Sequence, residues 1–356
     1  MRILYVAPSS RVGGLQTTLR NRIRALRAHG IHAEVVFLDK SEGEYIFKEI
    51  VHYYVRTPAE FHMQIQIGNY DVISFIYALH FLSCVPKTYT GKVLYEVRGW
   101  NREIAGTLKT IGRHRKVHAV MCIAKYLKPL VQAQLTANVQ VLVEGNAVDP
   151  MFHLIKPEER KWKDCPKPGK GRKVIAFAAR MERSKNWLEF VHICARLNAI
   201  DNIEPWFICN PTNRDELALV QHECKRIGLL GISRFMYNVP NHFMPEVFTE
   251  VQLSGGVILS PSIREGLGNH ILEPLAVGVP IISTDVPGKN EIITHGRNGL
   301  LYKPGHIADA VEHVSRVMKE EKLRNTLIAN GLVAIRQEYS PAVYVKRYLQ
   351  LLAQLK

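Results

Sequence analysis

Short apolar runs, most of them continuous rather than alternating, recur along this chain with amphipathic segments between them, and this pattern narrows the fold most. The first half carries Arg2–Ala7, His32–Leu38, Asp71–Ile76, Lys92–Val97, Ala119–Ala124 and Val139–Glu144. The second half carries Val174–Ala179, Pro205–Cys209, Arg234–Val239, Gly256–Ser260 and Pro280–Thr284. A strand that is apolar along both faces belongs inside a parallel sheet covered on both sides. Segments such as Leu15–His29, Trp187–Leu197 and Pro245–Leu253 show helical apolar spacing. The alternation predicts an α/β protein built from doubly wound, Rossmann-like domains.

With 356 residues the chain exceeds one ordinary core and fits two domains of about 150 residues each. Lys156–Arg172 is rich in Lys, Pro and Gly, a linker composition. The expected division is therefore 1–155, a linker at 156–172, a second domain at 173–338 and a C-terminal helix at 339–356. That helix starts at Ser340-Pro341, presents Val345, Tyr348, Leu352 and Leu355, and is expected to pack back on the N-terminal domain. Two such domains are expected to face a cleft, with ligands beyond the C-terminal strand ends.

No stretch offers about 18 consecutive apolar residues, and no signal-peptide pattern precedes the first strand, so the expected location is cytoplasmic. Six scattered cysteines without a CxxC pair read as small core residues, and neither a metal nor a cofactor is expected. The net charge of +15 is lopsided: residues 1–172 hold 26 Lys and Arg against 14 Asp and Glu, whereas residues 173–356 hold 21 against 18. The excess is either a solvated face or the footprint of an anionic partner. Arg20, Arg22, Arg24 and Arg27 fall on or near the first helix, and Arg102, Lys109, Arg113, Arg115 and Lys116 lie further on. No recognition-helix, zinc or stacking motif accompanies them, so nucleic acid is not an expected partner, while peripheral docking on an anionic inner membrane face is.

The chemistry concentrates between Ser260 and Glu291. A buried strand ends near Ser260, a glycine-bearing loop follows, and a helix begins around Asn269. Backbone amides from Gly266 through Leu267 and Gly268 to Asn269 and the helix N-terminus form an anion-attracting corner. Glu265 in the loop and Glu273 one turn into the helix can accept hydrogen bonds from vicinal hydroxyls, although two glutamates alone are as well explained by an ordinary loop and surface helix. Arg180 and Lys185 open the loop after the second half's first strand, where two cations suit a diphosphate, although basic residues opening a loop are commonplace and taken alone are better explained that way. Gly13-Gly14 ends the first strand-to-helix turn, which is either a tight turn needing glycine or a backbone left open to phosphates. No Asp-x-Asp pair for a metal-bound diphosphate occurs anywhere.

Glu265 and Glu273, with seven residues between them, together with Gly266, Gly268, Pro280, Gly288 and Glu291, resemble the signature of the retaining GT-B glycosyltransferases of family 4, also described as glycosyl transferases group 1. The resemblance covers nearly the whole chain. It implies a metal-independent hexosyltransferase of polysaccharide biosynthesis, moving a sugar from a nucleotide sugar, expected as a UDP-sugar, to a glycan or lipid-linked acceptor. By resemblance, Glu265 approaches the donor sugar hydroxyls, Glu273 holds the ribose, Arg180 and Lys185 steady the departing diphosphate, and Gly14 lets the backbone approach the phosphates. Many relatives carry a histidine after the fourth strand, where this chain has Glu96-Val-Arg-Gly, so Arg98 stands at a catalytic position. Arginine cannot act as a base but can bind a phosphate or support charge. Two rivals stay open: a sugar-nucleotide epimerase of the same architecture, and a binding protein that has lost catalysis.

Overall fold

The computed structural model describes residues 1–111, 117–136, 138–210 and 213–355. The chain forms two compact units, 1–147 together with 339–356, and 148–338. Among the described residues no helix is long and apolar enough to cross a membrane.

The first unit holds a seven-stranded parallel sheet of β1 (Arg2–Ser9), β2 (His32–Asp39), β3 (His52–Tyr54), β4 (Val72–Ile76), β5 (Lys92–Val97), β6 (Ala119–Cys122) and β7 (Gln140–Val143). Their order is β3-β2-β1-β4-β5-β6-β7, with Ile3 beside both Ala33 and Val72. The order therefore reverses between β1 and β4, where ligands of doubly wound sheets bind. Helix Gly14–Ala28 places Leu19, Ile23 and Leu26 in one core with Ile3, Tyr5, Val35 and Phe37. Helix Pro341–Ala353 adds Tyr344, Val345 and Tyr348 to that core, while Leu352 is only partly buried.

That core also contains charge. Arg22, expected on a basic surface, is fully buried, and its guanidinium donates to Glu96 at 2.7 and 3.2 Å and to the Tyr344 hydroxyl at 2.7 Å. The rings of Tyr5, Tyr344 and Tyr348 lie 5.0, 5.5 and 5.8 Å from it. Burial pushes the Glu96 carboxyl up, but Arg22, Arg98 and Ser74 outweigh it and hold it below the usual carboxylate value. Arg20 is buried too, folded against Asn21. The expected patch on the first helix thus shrinks to Arg24 and Arg27: helical spacing turns Arg22 to the opposite face, and Arg20, on the same face as 24 and 27, is buried against Asn21. Arg102 and Lys109 are exposed, while Arg113, Arg115 and Lys116 lie outside the described residues.

The second unit has a six-stranded parallel sheet of β8 (Lys173–Ala178), β9 (Ile203–Cys209), β10 (Arg234–Tyr237), β11 (Val257–Ser260), β12 (Ile281–Thr284) and β13 (Leu300–Tyr302). Its order is β10-β9-β8-β11-β12-β13. Ile175, Phe177, Phe207, Leu259 and Ile282 pack with Phe190 and Leu197 of helix Trp187–Asn198. Each such side chain contributes roughly 1.5–3 kcal/mol by leaving water. Five of the six cysteines are buried and all six are free thiols.

The segment 156–172 is held on this unit. Lys161 and Trp162 donate their amides to the Glu246 carboxylate, and Gly169 donates to Glu204 at 2.7 Å. Its backbone is thereby satisfied without a strand or helix of its own beyond one short turn, Pro157–Glu159.

Candidate functional site

Parallel strands deliver their loops to one sheet edge, and β8 and β11 are neighbours, so the loops after them emerge side by side. After β8 the chain passes Arg180, makes a short turn at Arg183–Lys185, and enters helix Trp187–Asn198 through Asn186 in the left-handed region (φ 54°). After β11 it runs through 261–268 into helix Asn269–Val277. One backbone bond ties the two loops, Ile263 N–H to Ser184 C=O at 3.1 Å.

A side-chain bond ties them again. Lys185 Nζ donates to Glu265 Oε1 at 2.8 Å, with the side chains only 14% and 9% exposed. Ser262 Oγ donates to the same carboxylate oxygen at 2.8 Å. Burial pushes the Glu265 carboxyl up, but His270, Lys185 and Lys289 pull it down to about 2, so it is ionised at neutral pH. The His270 ring lies 3.6 Å from Glu265 and 2.9 Å from Ser260 Oγ. Burial lowers His270 to about 4, which leaves it neutral at pH 7 and makes the Glu265 approach a polar contact, not an ion pair.

Glycine fixes this loop. Gly288 has φ 86°, and a Cβ there would stand 2.0 Å from the Gly266 carbonyl oxygen. A Cβ on Gly268 would strike the His270 ring at 2.6 Å. Leu267 and Glu273 are buried, and Gly266 and Asn269 are half-buried at the helix start. The helix N-terminus brings partial positive charge to the same place.

The remaining expected residues are placed differently. Arg180 is 59% exposed and pairs with Glu182 at 2.8 Å. Arg183 is exposed and pairs with Glu216, which also accepts from Trp187 Nε1. Arg98 and Gly14 belong to the first unit. Arg98 follows β5 with its side chain turned inward, 6% exposed and 3.6 Å from Glu96, while its backbone N–H donates to the Tyr77 hydroxyl. Gly14 opens helix Gly14–Ala28, and its missing Cβ would meet no atom within 4 Å.

Residues 158–333 match the family described as Glycosyl transferases group 1. That segment thus carries the match to a glycosyl transferases group 1 domain. The chain is 24% identical over 182 residues to the 2-deoxystreptamine N-acetyl-D-glucosaminyltransferase of Niallia circulans, covering 51% of this chain and 45% of that one. It is 32% identical over 182 residues to the lipopolysaccharide core biosynthesis glycosyltransferase LpsE of Rhizobium meliloti, covering 51% and 49%. The chain thus spans about half the length of these curated relatives. Among solved structures it resembles Anabaena HepE in complex with UDP-glucose, with a TM-score of 0.82, 14% identity and full coverage of both chains. That likeness establishes the architecture, GT-B with two Rossmann-like sheets and a C-terminal helix.

Proposed function

We propose that this chain is a retaining glycosyltransferase that moves a sugar from a nucleotide diphosphate donor to a glycan or lipid-linked acceptor, without a metal ion. The observation that carries the reading is the buried Lys185–Glu265 pair. It joins a carboxylate suited to sugar hydroxyls to a cation suited to a diphosphate, beside a helix N-terminus. The family match and the UDP-glucose bound to HepE support a nucleotide-sugar donor.

In this reading Glu265 accepts from the donor sugar hydroxyls, and Glu273 accepts from the ribose. Lys185 and Arg180 carry the diphosphate, aided by the amides of 266–269. Arg180 is free to change partners cheaply, because an exposed pair such as Arg180–Glu182 is worth only about 0–1 kcal/mol. The acceptor hydroxyl attacks on the face from which the diphosphate leaves, and a departing phosphate oxygen takes its proton. No side-chain nucleophile is needed, so the protein's work is positioning and charge stabilisation. Arg98 remains protonated and serves as a fixed charge of the first unit, not as a base. Gly14 leaves the backbone of its turn open to a ligand.

A thermal-shift and turnover screen of UDP-, GDP- and dTDP-sugars tests the reading. At least one should stabilise the protein, and its transfer should continue in EDTA; a strict divalent-metal requirement would show that Arg180 and Lys185 are not the leaving-group charges. Glu273→Ala should weaken both the nucleotide and the nucleotide sugar, since a lost charge-assisted hydrogen bond costs about 1.5–3 kcal/mol, or roughly 10- to 150-fold. Calorimetry showing unchanged nucleotide affinity would remove Glu273 from the site.

A further inference from the structure

Below the loop that carries Glu265 lies a charge that the reading above does not use. Lys289 follows Gly288 in the chain and is 0% exposed. Its Nζ donates to the carbonyl oxygens of Ser260 at 2.7 Å and Ser262 at 2.9 Å, and to Thr284 Oγ1 at 2.7 Å. Thr284 Oγ1 in turn donates to the Ser262 carbonyl at 2.6 Å. An ammonium has three protons, and here each has an acceptor. An unpaired ammonium would be expelled from such a site or neutralised in it, so this full set of acceptors is what allows burial.

Two of the acceptors are backbone carbonyls at the start of the Glu265 loop. The residue between Lys289 and the carboxylate is Ser262, whose carbonyl Lys289 holds and whose hydroxyl donates to Glu265 Oε1 at 2.8 Å. Gly288, the preceding residue, runs close to the Gly266 carbonyl just beyond Glu265, where a Cβ would stand 2.0 Å from its oxygen. One turn therefore grips the loop on both sides of Glu265.

We propose that Lys289 is a positioning residue: by fixing the carbonyls of Ser260 and Ser262 it holds Ser262 and Glu265 in the geometry that receives the transferred sugar. This rests on the reading of Glu265 as the sugar-hydroxyl acceptor. It adds a consequence that packing alone does not have. Burial lowers Lys289 to about 7; Glu265 and Glu189 oppose that shift, and Lys185 adds to it. The other titratable neighbour, His270, is already neutral there. As pH rises through about 7 the loop thus loses one of its donors and one positive charge.

The test compares wild type, Lys289→Met and Thr284→Val by calorimetry with a nucleotide sugar and its bare nucleoside diphosphate, and by hydrogen exchange of the free proteins. Lys289→Met should weaken the nucleotide sugar about tenfold more than the nucleotide. In wild type that preference for the sugar should decline above pH about 7, and in Lys289→Met it should be pH-independent there. Thr284→Val keeps the lysine, removes one acceptor, and should move the decline to lower pH. Loop amides 261–268 should exchange faster in both variants. Equal weakening of both ligands, an unmoved pH response or unchanged loop exchange would overturn the role of Lys289. Faster loop exchange in a protein whose wild type binds no nucleotide sugar would instead uphold the positioning and overturn the donor reading.

Discussion

Lys185→Ala should cut sugar transfer by roughly 100-fold or more, because charge grows on the diphosphate in the transition state and this cation is fixed before the reaction starts. The loss should appear in kcat as well as kcat/KM, since an interaction made mainly in the transition state lowers both. A variant turning over within tenfold of wild type would mean that Lys185 is not the leaving-group charge. Stability must be followed alongside, because Lys185 is also the direct partner of a buried carboxylate. Removing one member of a buried pair can cost about 3–5 kcal/mol. Lys185→Ala with Glu265→Gln should recover stability and not turnover. The pH response gives a separate handle. Glu265 is held at about 2, so its stabilisation is complete above the ordinary carboxylate range, declines as pH falls below that range and is gone once pH has passed through about 2. Without Lys185 that stabilisation should be smaller and should be exhausted at higher pH.

Arg22→Met should destabilise the first unit by about 3–5 kcal/mol, the largest stability effect expected of a single change away from the site. It strips Glu96, 0% exposed, of two hydrogen bonds and leaves the Ser74 hydroxyl and Arg98, 3.6 Å away, as company. It also leaves the Tyr344 hydroxyl without its donor. Arg22→Met with Glu96→Gln should be no more stable than the single variant, since it leaves the buried Arg98 cation without the carboxylate 3.6 Å from it. Urea unfolding, read by hydrogen exchange in β1, β4 and β5, separates this unit from the other. A loss below about 1 kcal/mol for the single variant would show that the pair is not what the core depends on.

The strand–helix alternation is legible in the sequence because a strand covered on both faces is buried throughout and therefore mostly apolar, as Val72–Ile76 and Val257–Ser260 are. His52–Tyr54 and Leu300–Tyr302 escape such a reading: each has three residues, lies at a sheet edge, and takes its register from one neighbour. Glu265 and Lys185 stand out as residue types at strand ends, but their pairing spans 80 positions and follows only from the adjacency of β8 and β11. Lys289 is hidden for a different reason. Its acceptors are mostly backbone carbonyls, which every residue carries, so nothing in Asp285-Val-Pro-Gly-Lys289 announces them. Arg22 looks like one more helical surface cation because its partner Glu96 lies 74 residues away on β5.

The division of the chain also sets an order of events during synthesis. Residues 148–338 are contiguous, whereas the first unit needs 339–356 to finish its core. At about 5–20 residues per second, the ribosome delivers Tyr344 and Tyr348 roughly 10–40 s after β7. Throughout that interval Arg22 and Glu96 lack the two rings and the hydroxyl that later enclose them. The second unit, made last but for one helix, is therefore the first able to close. The first unit spends its early life with a buried-to-be charge pair open to water, waiting for residues 339–356.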